Sequence, residues 1–283
     1  MKKSSFHFFT GDVKLSIFGK VVYVLSFLIE FFVLNIFPLS KKDFNPKIEI
    51  DDIKEFHGLD MLNNVSPQRI VSNAAIIELV KDINFSYLLD LGCGSGIYKK
   101  YFKNLGKNFE YLGIDIKRHN NNEIIQHDLG PSFPNLKEKA SNIDFIFSQS
   151  ALEHIKYDIE VIRWSVNNFP NANHLHIIPA PLSAICYNLH GYRRYSNYTL
   201  KKIIKCFPSN IEVFSIGNNS TRKLYMGYFR EKFDKKHKFD KFVGSINYSD
   251  WLSQASPLKK LSSNKNGGPE FYAILYNKLK NDK

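Results

Sequence analysis

The stretch YLLDLGCGSGIYKKYF, Tyr87 to Phe102, sets the fold. A short apolar run enters a turn in which glycine alternates, at Gly92, Gly94 and Gly96, and the chain leaves it with a helical pattern. Glycine at such a strand-to-helix turn permits tight bending and close approach of the backbone to a ligand. The helix N-terminus beyond it presents unpaired amides and the positive end of a dipole, which suits a carboxylate or a phosphate. A dinucleotide fingerprint would read G-x-G-x-x-G, whereas here the third glycine comes one position early. Asp90 stands two residues before the first glycine. A fixed acid there repels a pyrophosphate and favours a ligand with a positive charge. S-adenosylmethionine, with its ammonium, sulfonium and carboxylate, fits this turn better than NAD.

Outward from the turn, strand and helix patterns alternate. Upstream, VSPQRIVSNAAIIELVKDI is a predicted helix, with Ser66 as its cap, Pro67 in its first turn and an apolar stripe of Ile70, Ala74, Ile77 and Val80. The strand candidates are residues 87–92, 109–115, 123–129, 143–149, 174–180, 211–217 and 270–277. Most are separated by helical stretches such as DIEVIRWSVNNF and TLKKIIKCF. Continuous apolar strands alternating with helices predict an α/β fold: a seven-stranded, mostly parallel Rossmann-like sheet covered on both faces. The last two candidates have no helical repeat beside the final strand, so an antiparallel terminal strand is expected.

In such sheets ligands bind outside the carboxyl ends of the strands. Asp115 ends the second candidate, where a carboxylate can accept from both hydroxyls of a ribose. Asp128 ends the third, where it can accept from an adenine amino group. The fourth ends in Ser148-Gln149-Ser150. A lone Asp at a strand end is commonly a turn former or helix cap. The ordered set of D-x-G-x-G-x-G, then Asp115, then Asp128 is more specific.

This ordered set resembles the class I S-adenosylmethionine-dependent methyltransferases, in particular their type-11/type-12 group. LLDLGCGSG is similar to their first motif, YLGIDI to the second and IIQHDL to the third. FIFSQSALEHI (145–155) and HGYRRYSNYTLKKII (190–204) are similar to later segments of that group. The resemblance runs from about Ser66 to Lys278. It implies methyl transfer, S-adenosyl-L-methionine as cofactor, and cofactor contacts at Asp90, Gly92, Gly94, Asp115 and Asp128. Gly96, Ile116, Leu129 and Gln149 join these as cofactor candidates.

Methyl transfer is an in-line displacement in which much of the catalysis is positioning. An oxygen or nitrogen acceptor must also lose a proton, so a base helps. His154 in ALEHI and His190 in HGYRRY are the candidates. Tyr192, Arg193 and Arg194 would form an acceptor lid in which an arginine meets an anionic group. The alternative is structural: His154 fixing its loop, and HGYRRYS entering a helix capped by Ser196 or Thr199. The Asn/Asp-Pro-Pro-aromatic run of base- and glutamine-directed enzymes is absent after the fourth strand. A small-molecule, glycan or lipid-linked acceptor is therefore expected, and no specific nucleic acid. An NAD-dependent oxidoreductase or epimerase, or a non-catalytic cofactor-binding scaffold, are the competing readings.

The chain divides into an N-terminal apolar segment (1–60) and the main domain (61–283), the latter with an insertion at about 219–268. GKVVYVLSFLIEFFVLNIFPLSKK, Gly19 to Lys42, is long enough to cross a bilayer. Lys20, Tyr23, Ser26 or Phe27, Glu30 and Asn35 recur near the helical period as a narrow polar stripe. Three readings stay open: the segment spans a membrane, lies in its interface, or docks on the protein's own core. The acid on the stripe weakens the spanning reading. Each keeps the main domain cytoplasmic, with peripheral contact at the cytoplasmic face of the membrane if the helix lies in the interface.

The net charge of +12 favours anionic partners. It is concentrated around this segment and in TRKLYMGYFREKFDKKHKFDK (221–241). Three cysteines with no C-x-x-C pair argue against a disulfide framework. His174 and His176 would share one strand face, but no third ligand accompanies them, so no metal is expected.

Overall fold

Eight short strands pair into one sheet, most of them apolar runs that cannot leave a face in water. In this computed structural model the described residues are 16–44, 55–56, 67–130, 132–136, 142–185, 191–192, 194–209, 211–217 and 268–278. The strands are β1 (Lys42–Phe44), β2 (Tyr87–Leu91), β3 (Glu110–Asp115), β4 (Ile124–Gln126), β5 (Phe145–Gln149), β6 (Asn173–Pro179), β7 (Glu212–Ile216) and β8 (Phe271–Tyr276). Their order in the sheet is β1-β7-β8-β6-β5-β2-β3-β4. β8 runs antiparallel to β6 and β7, and all other pairings are parallel. The expected antiparallel last strand is present. It lies between β6 and β7, away from the edge.

The expected count of seven strands is corrected to eight. The additional strand, β1, comes from the segment after the apolar helix and pairs with β7 through Lys42–Phe214, Asp43–Ser215 and Phe44–Ile216. Its stability is tertiary: Phe44 packs on Phe214 with ring centroids 5.1 Å apart, and Lys42 pairs with Glu212.

Alternation along the strands feeds two cores. Leu88, Phe145 and Phe147 face one layer with Ile70, Val80, Tyr98 and Phe102. That layer holds helices α2 (Pro67–Val80) and α3 (Ile97–Asn104). Leu89, Leu91 and Ile146 face the other with Val161, Ile162, Leu200 and Ile203, from α4 (Asp158–Asn168) and α5 (Asn197–Ile204). The predicted stripe of α2 is buried at Ile70, Ala74 and Val80, with Ile77 half-buried. Its predicted cap, Ser66, lies outside the described residues, as does the insertion from 218 to 267.

Before the sheet comes α1 (Ile17–Leu28), capped by Ser16, whose hydroxyl accepts from the Gly19 amide at 3.1 Å. The helix continues as a wider π turn over Ile29–Val33 and a tighter 3₁₀ turn over Leu34–Ile36.

Candidate active site

The sheet order reverses at β2, which lies between β3 and β5. A reversal splits the two flanking crossovers to opposite faces and opens a crevice at the carboxyl ends of the strands. The glycine turn after β2 stands at that point. Its three glycines have φ of 68°, 55° and 78°, in the left-handed region where other residues are strained. A Cβ on Gly92 would come within 2.5 Å of the Ala151 Cβ, so the turn after β2 and the turn after β5 cross in contact. At Gly94 a Cβ would meet nothing within 4 Å, which leaves room above the turn. The amides of Gly92 and Cys93 are held by the Ile114 carbonyl of β3, at 2.8 and 3.1 Å.

Asp115 ends β3 beside this turn. Its Oδ2 accepts from the Gly94 amide at 2.8 Å and its Oδ1 from the Lys117 amide at 2.8 Å. His119 Nε2 lies 3.5 Å from Oδ1. The carboxylate thus fastens the turn to the neighbouring strand. Each oxygen keeps a further acceptor position for a ligand hydroxyl.

Asp90 is placed otherwise than expected. It is 1% exposed and its Oδ2 accepts from the Tyr111 hydroxyl of β3 at 3.0 Å. Burial, opposed by that hydrogen bond, pushes its carboxyl up to about 7. It lies under the turn as a support and is not open to solvent at its rim.

Asp128 is also shifted from the reading of the sequence. β4 stops at Gln126, so Asp128 sits in the loop beyond it and is exposed. Leu129 behind it is buried and Ile116 is 53% exposed. Gln149 is buried at the end of β5, and its Nε2 donates to the Ser72 hydroxyl at 3.2 Å. Ser150, next along, has φ of 48°, a strained value for a side-chain-bearing residue and one often found where a turn serves a site.

On the acceptor side, His154 is half-buried in a 3₁₀ turn, Leu152–His154, directly after the crossing at Ala151. Tyr192 donates its amide to the Glu153 carbonyl, and its hydroxyl is raised by burial, with the charge of Asp128 adding to the effect. The structure therefore brings Asp128, Tyr192 and the ALEH turn into one neighbourhood. Arg194 is buried beside Glu153, whose carboxyl it lowers against the larger effect of burial. His190 and Arg193 lie outside the described residues.

Glu153 is the residue that the sequence reading passed over. It is 3% exposed and its Oε2 has no hydrogen-bond partner among the described residues. Burial pushes its carboxyl up to about 7. A Cβ on Gly191 would stand 2.8 Å from the Glu153 carbonyl oxygen, so glycine lets the segment from 191 press onto it. The signal in the sequence was an acid at the close of an otherwise uncharged strand and turn.

Residues 66–180 match the family model described as a methyltransferase domain. They hold the glycine turn, Asp115, Asp128 and the ALEH turn. Over those residues the chain is similar to a methyltransferase domain. No curated protein matches the sequence.

Solved structures resemble the chain at low identity. One, a putative methyltransferase from an antibiotic biosynthesis pathway of Anabaena variabilis, is 12% identical, with a TM-score of 0.43, over 76% of this chain and 99% of that one. A phosphoethanolamine N-methyltransferase 2 of Haemonchus contortus, in complex with S-adenosyl-L-methionine, is 14% identical, with a TM-score of 0.42, over 80% of this chain and 56% of that one. The plantazolicin methyltransferase BamL, in complex with a desmethyl analogue and S-adenosylhomocysteine, is 13% identical, with a TM-score of 0.46, over 81% of this chain and 98% of that one. All three scores lie below 0.5, and the assignment rests on the family model.

Proposed function

We propose that the methyltransferase moves the methyl group of S-adenosylmethionine to an oxygen of a small-molecule, glycan or lipid-linked acceptor at the cytoplasmic face of a membrane. The observation that carries the cofactor part is the turn itself: open space over Gly94, with Asp115 fastened beneath it. In this reading the methionine end lies over Gly92–Gly96. Asp115 takes the ribose hydroxyls, with Ile116 and Leu129 flanking the adenine. Asp128 accepts from the adenine amino group, and Gln149 closes the floor.

The acceptor approaches from the ALEH and 191–196 side. Its oxygen attacks the methyl carbon in line with the departing sulfur, S-adenosylhomocysteine leaves, and the acceptor proton passes to a base. His154 is the proposed base, and Tyr192 and Arg194 hold the acceptor. A base in that place contributes about 10²–10⁴ in rate. The apolar N-terminal helix and the basic excess support the membrane location.

Isothermal titration with S-adenosylmethionine and with NAD tests the cofactor; tighter binding of NAD would reject it. Transfer of labelled methyl to membrane-lipid and polysaccharide extracts tests the acceptor class. Cofactor binding with no transfer to any extract would favour the scaffold reading.

A further inference from the structure

The helical stretch Ile17–Ile36 is long and apolar enough to cross a membrane. Its inner edge, however, is tied to the methyltransferase domain. Glu30 Oε2 accepts from the Ser196 amide at 3.3 Å, and Glu30 Oε1 from the Thr199 hydroxyl at 3.3 Å. Ser196 is the cap of α5, so the carboxylate meets the positive end of that helix. Asn197 Nδ2 donates to the carbonyls of Asn35 and Phe37 at 2.7 and 2.8 Å. Lys41 Nζ donates to Asn197 Oδ1 at 2.7 Å and lies over the Tyr272 ring. The chain then enters the sheet as β1.

Among the described residues this leaves Ile17–Leu28, 12 residues, ahead of the docked part. At 1.5 Å per residue that is about 18 Å. A bilayer core needs about 30 Å. A spanning helix would have to pull Glu30 off α5 into lipid, where an acid is costly.

The outer side is the reverse in character. Phe18, Val21, Leu25, Ile29, Phe32 and Ile36 are all exposed and recur at three- and four-residue steps, with Ile17, Val24, Leu28 and Val33 exposed beside them, so they form one broad apolar face. Glu30 and Leu34, on the side turned to the domain, are half-buried. Residues 1–42 contain six lysines against two acids; Lys41 and Lys42 are engaged with the domain, which leaves Lys2, Lys3, Lys14 and Lys20 as the basic flank. An apolar face with a basic flank matches an anionic lipid surface by charge as well as by hydrophobicity.

From this we infer that Ile17–Ile36 lies in the plane of an anionic membrane interface, apolar face down, with Glu30 and Asn197 clamping it to α5. The inference rests on the membrane-face reading above and excludes the spanning one. The full chain sediments with vesicles of phosphatidylcholine mixed with phosphatidylglycerol more than with phosphatidylcholine alone. The Phe18→Glu/Phe32→Glu variant loses more than about tenfold of that partition, since two large apolar side chains leave the lipid. A thermal melt like the parent's shows that this variant is folded.

Epitopes placed at Met1 and at Lys283 of the otherwise native chain, exposed to protease in sealed membrane vesicles, decide the geometry. Cleavage of both from the same side is expected. Ends on opposite sides overturn the in-plane helix and leave the membrane reading standing. Failure to recover the chain with any vesicle, above all if a concentration-dependent dimer covers this face instead, overturns the membrane reading itself.

Discussion

Asp115 holds the glycine turn through Gly94, and in the proposed reading its carboxylate also takes the ribose hydroxyls. Replacing Asp115 with Ala should weaken S-adenosylmethionine binding by about 1.5–3 kcal/mol, the scale of hydrogen bonds to a charged group. Calorimetric titration reads this directly, and an unchanged affinity would remove the ribose assignment.

Glu153 offers a pH test. Its folded carboxyl titrates at about 7, above its ordinary value of 4.5. The folded state therefore holds a proton that the unfolded chain has released. This contribution to stability is complete below about pH 4.5 and is lost as pH rises through 7. Between pH 6 and 8 the loss amounts to about 1 kcal/mol. Glu153→Gln should flatten urea-unfolding stability across that window. His174 and His176 act in the opposite sense. Buried on β6 with Nδ1 of one 3.3 Å from Nε2 of the other, both are pushed down by burial. Their contribution is present above about pH 6.5 and fades as pH falls.

The elements were legible where their driving force is local. Strands such as Leu88–Leu91 and Phe145–Phe147 are apolar on both faces, and helices such as α5 carry their own cap in Ser196. β1 was not legible: Lys42-Asp43-Phe44 has no strand pattern, and its pairing depends on a partner about 170 residues away. The same distance hid the supports of the site. Nothing local links Asp90 to Tyr111, or Glu30 to Ser196 and Thr199. The polar stripe on the apolar helix was visible, while the surface that receives it was not. Glu30→Ala should cost about 0.5–2 kcal/mol, the range for removing a helix-capping partner. The thermal transition reports it, and no change would mean that the clamp is only a surface contact.

At the scale of the molecule, the sheet is one cooperative body whose two halves join at β8. Deleting Glu270–Lys283 should remove β8, which pairs with β6 on one side and β7 on the other, and leave buried apolar strands uncovered. Such a chain is expected to show no cooperative melt and no cofactor binding in titration. Retained binding would mean that β2 to β6 fold without their partner.

That placement also orders events during synthesis. Among the described strands, β1 joins the sheet through β7, and β7 joins the rest through β8, which comes after them all in the chain. Roughly 10–45 s of translation, at about 5–20 residues per second, separate Phe44 from Phe271. Through that interval Ile17–Phe44 has no finished sheet to join, so under the in-plane reading its apolar face can meet lipid before it meets its own body.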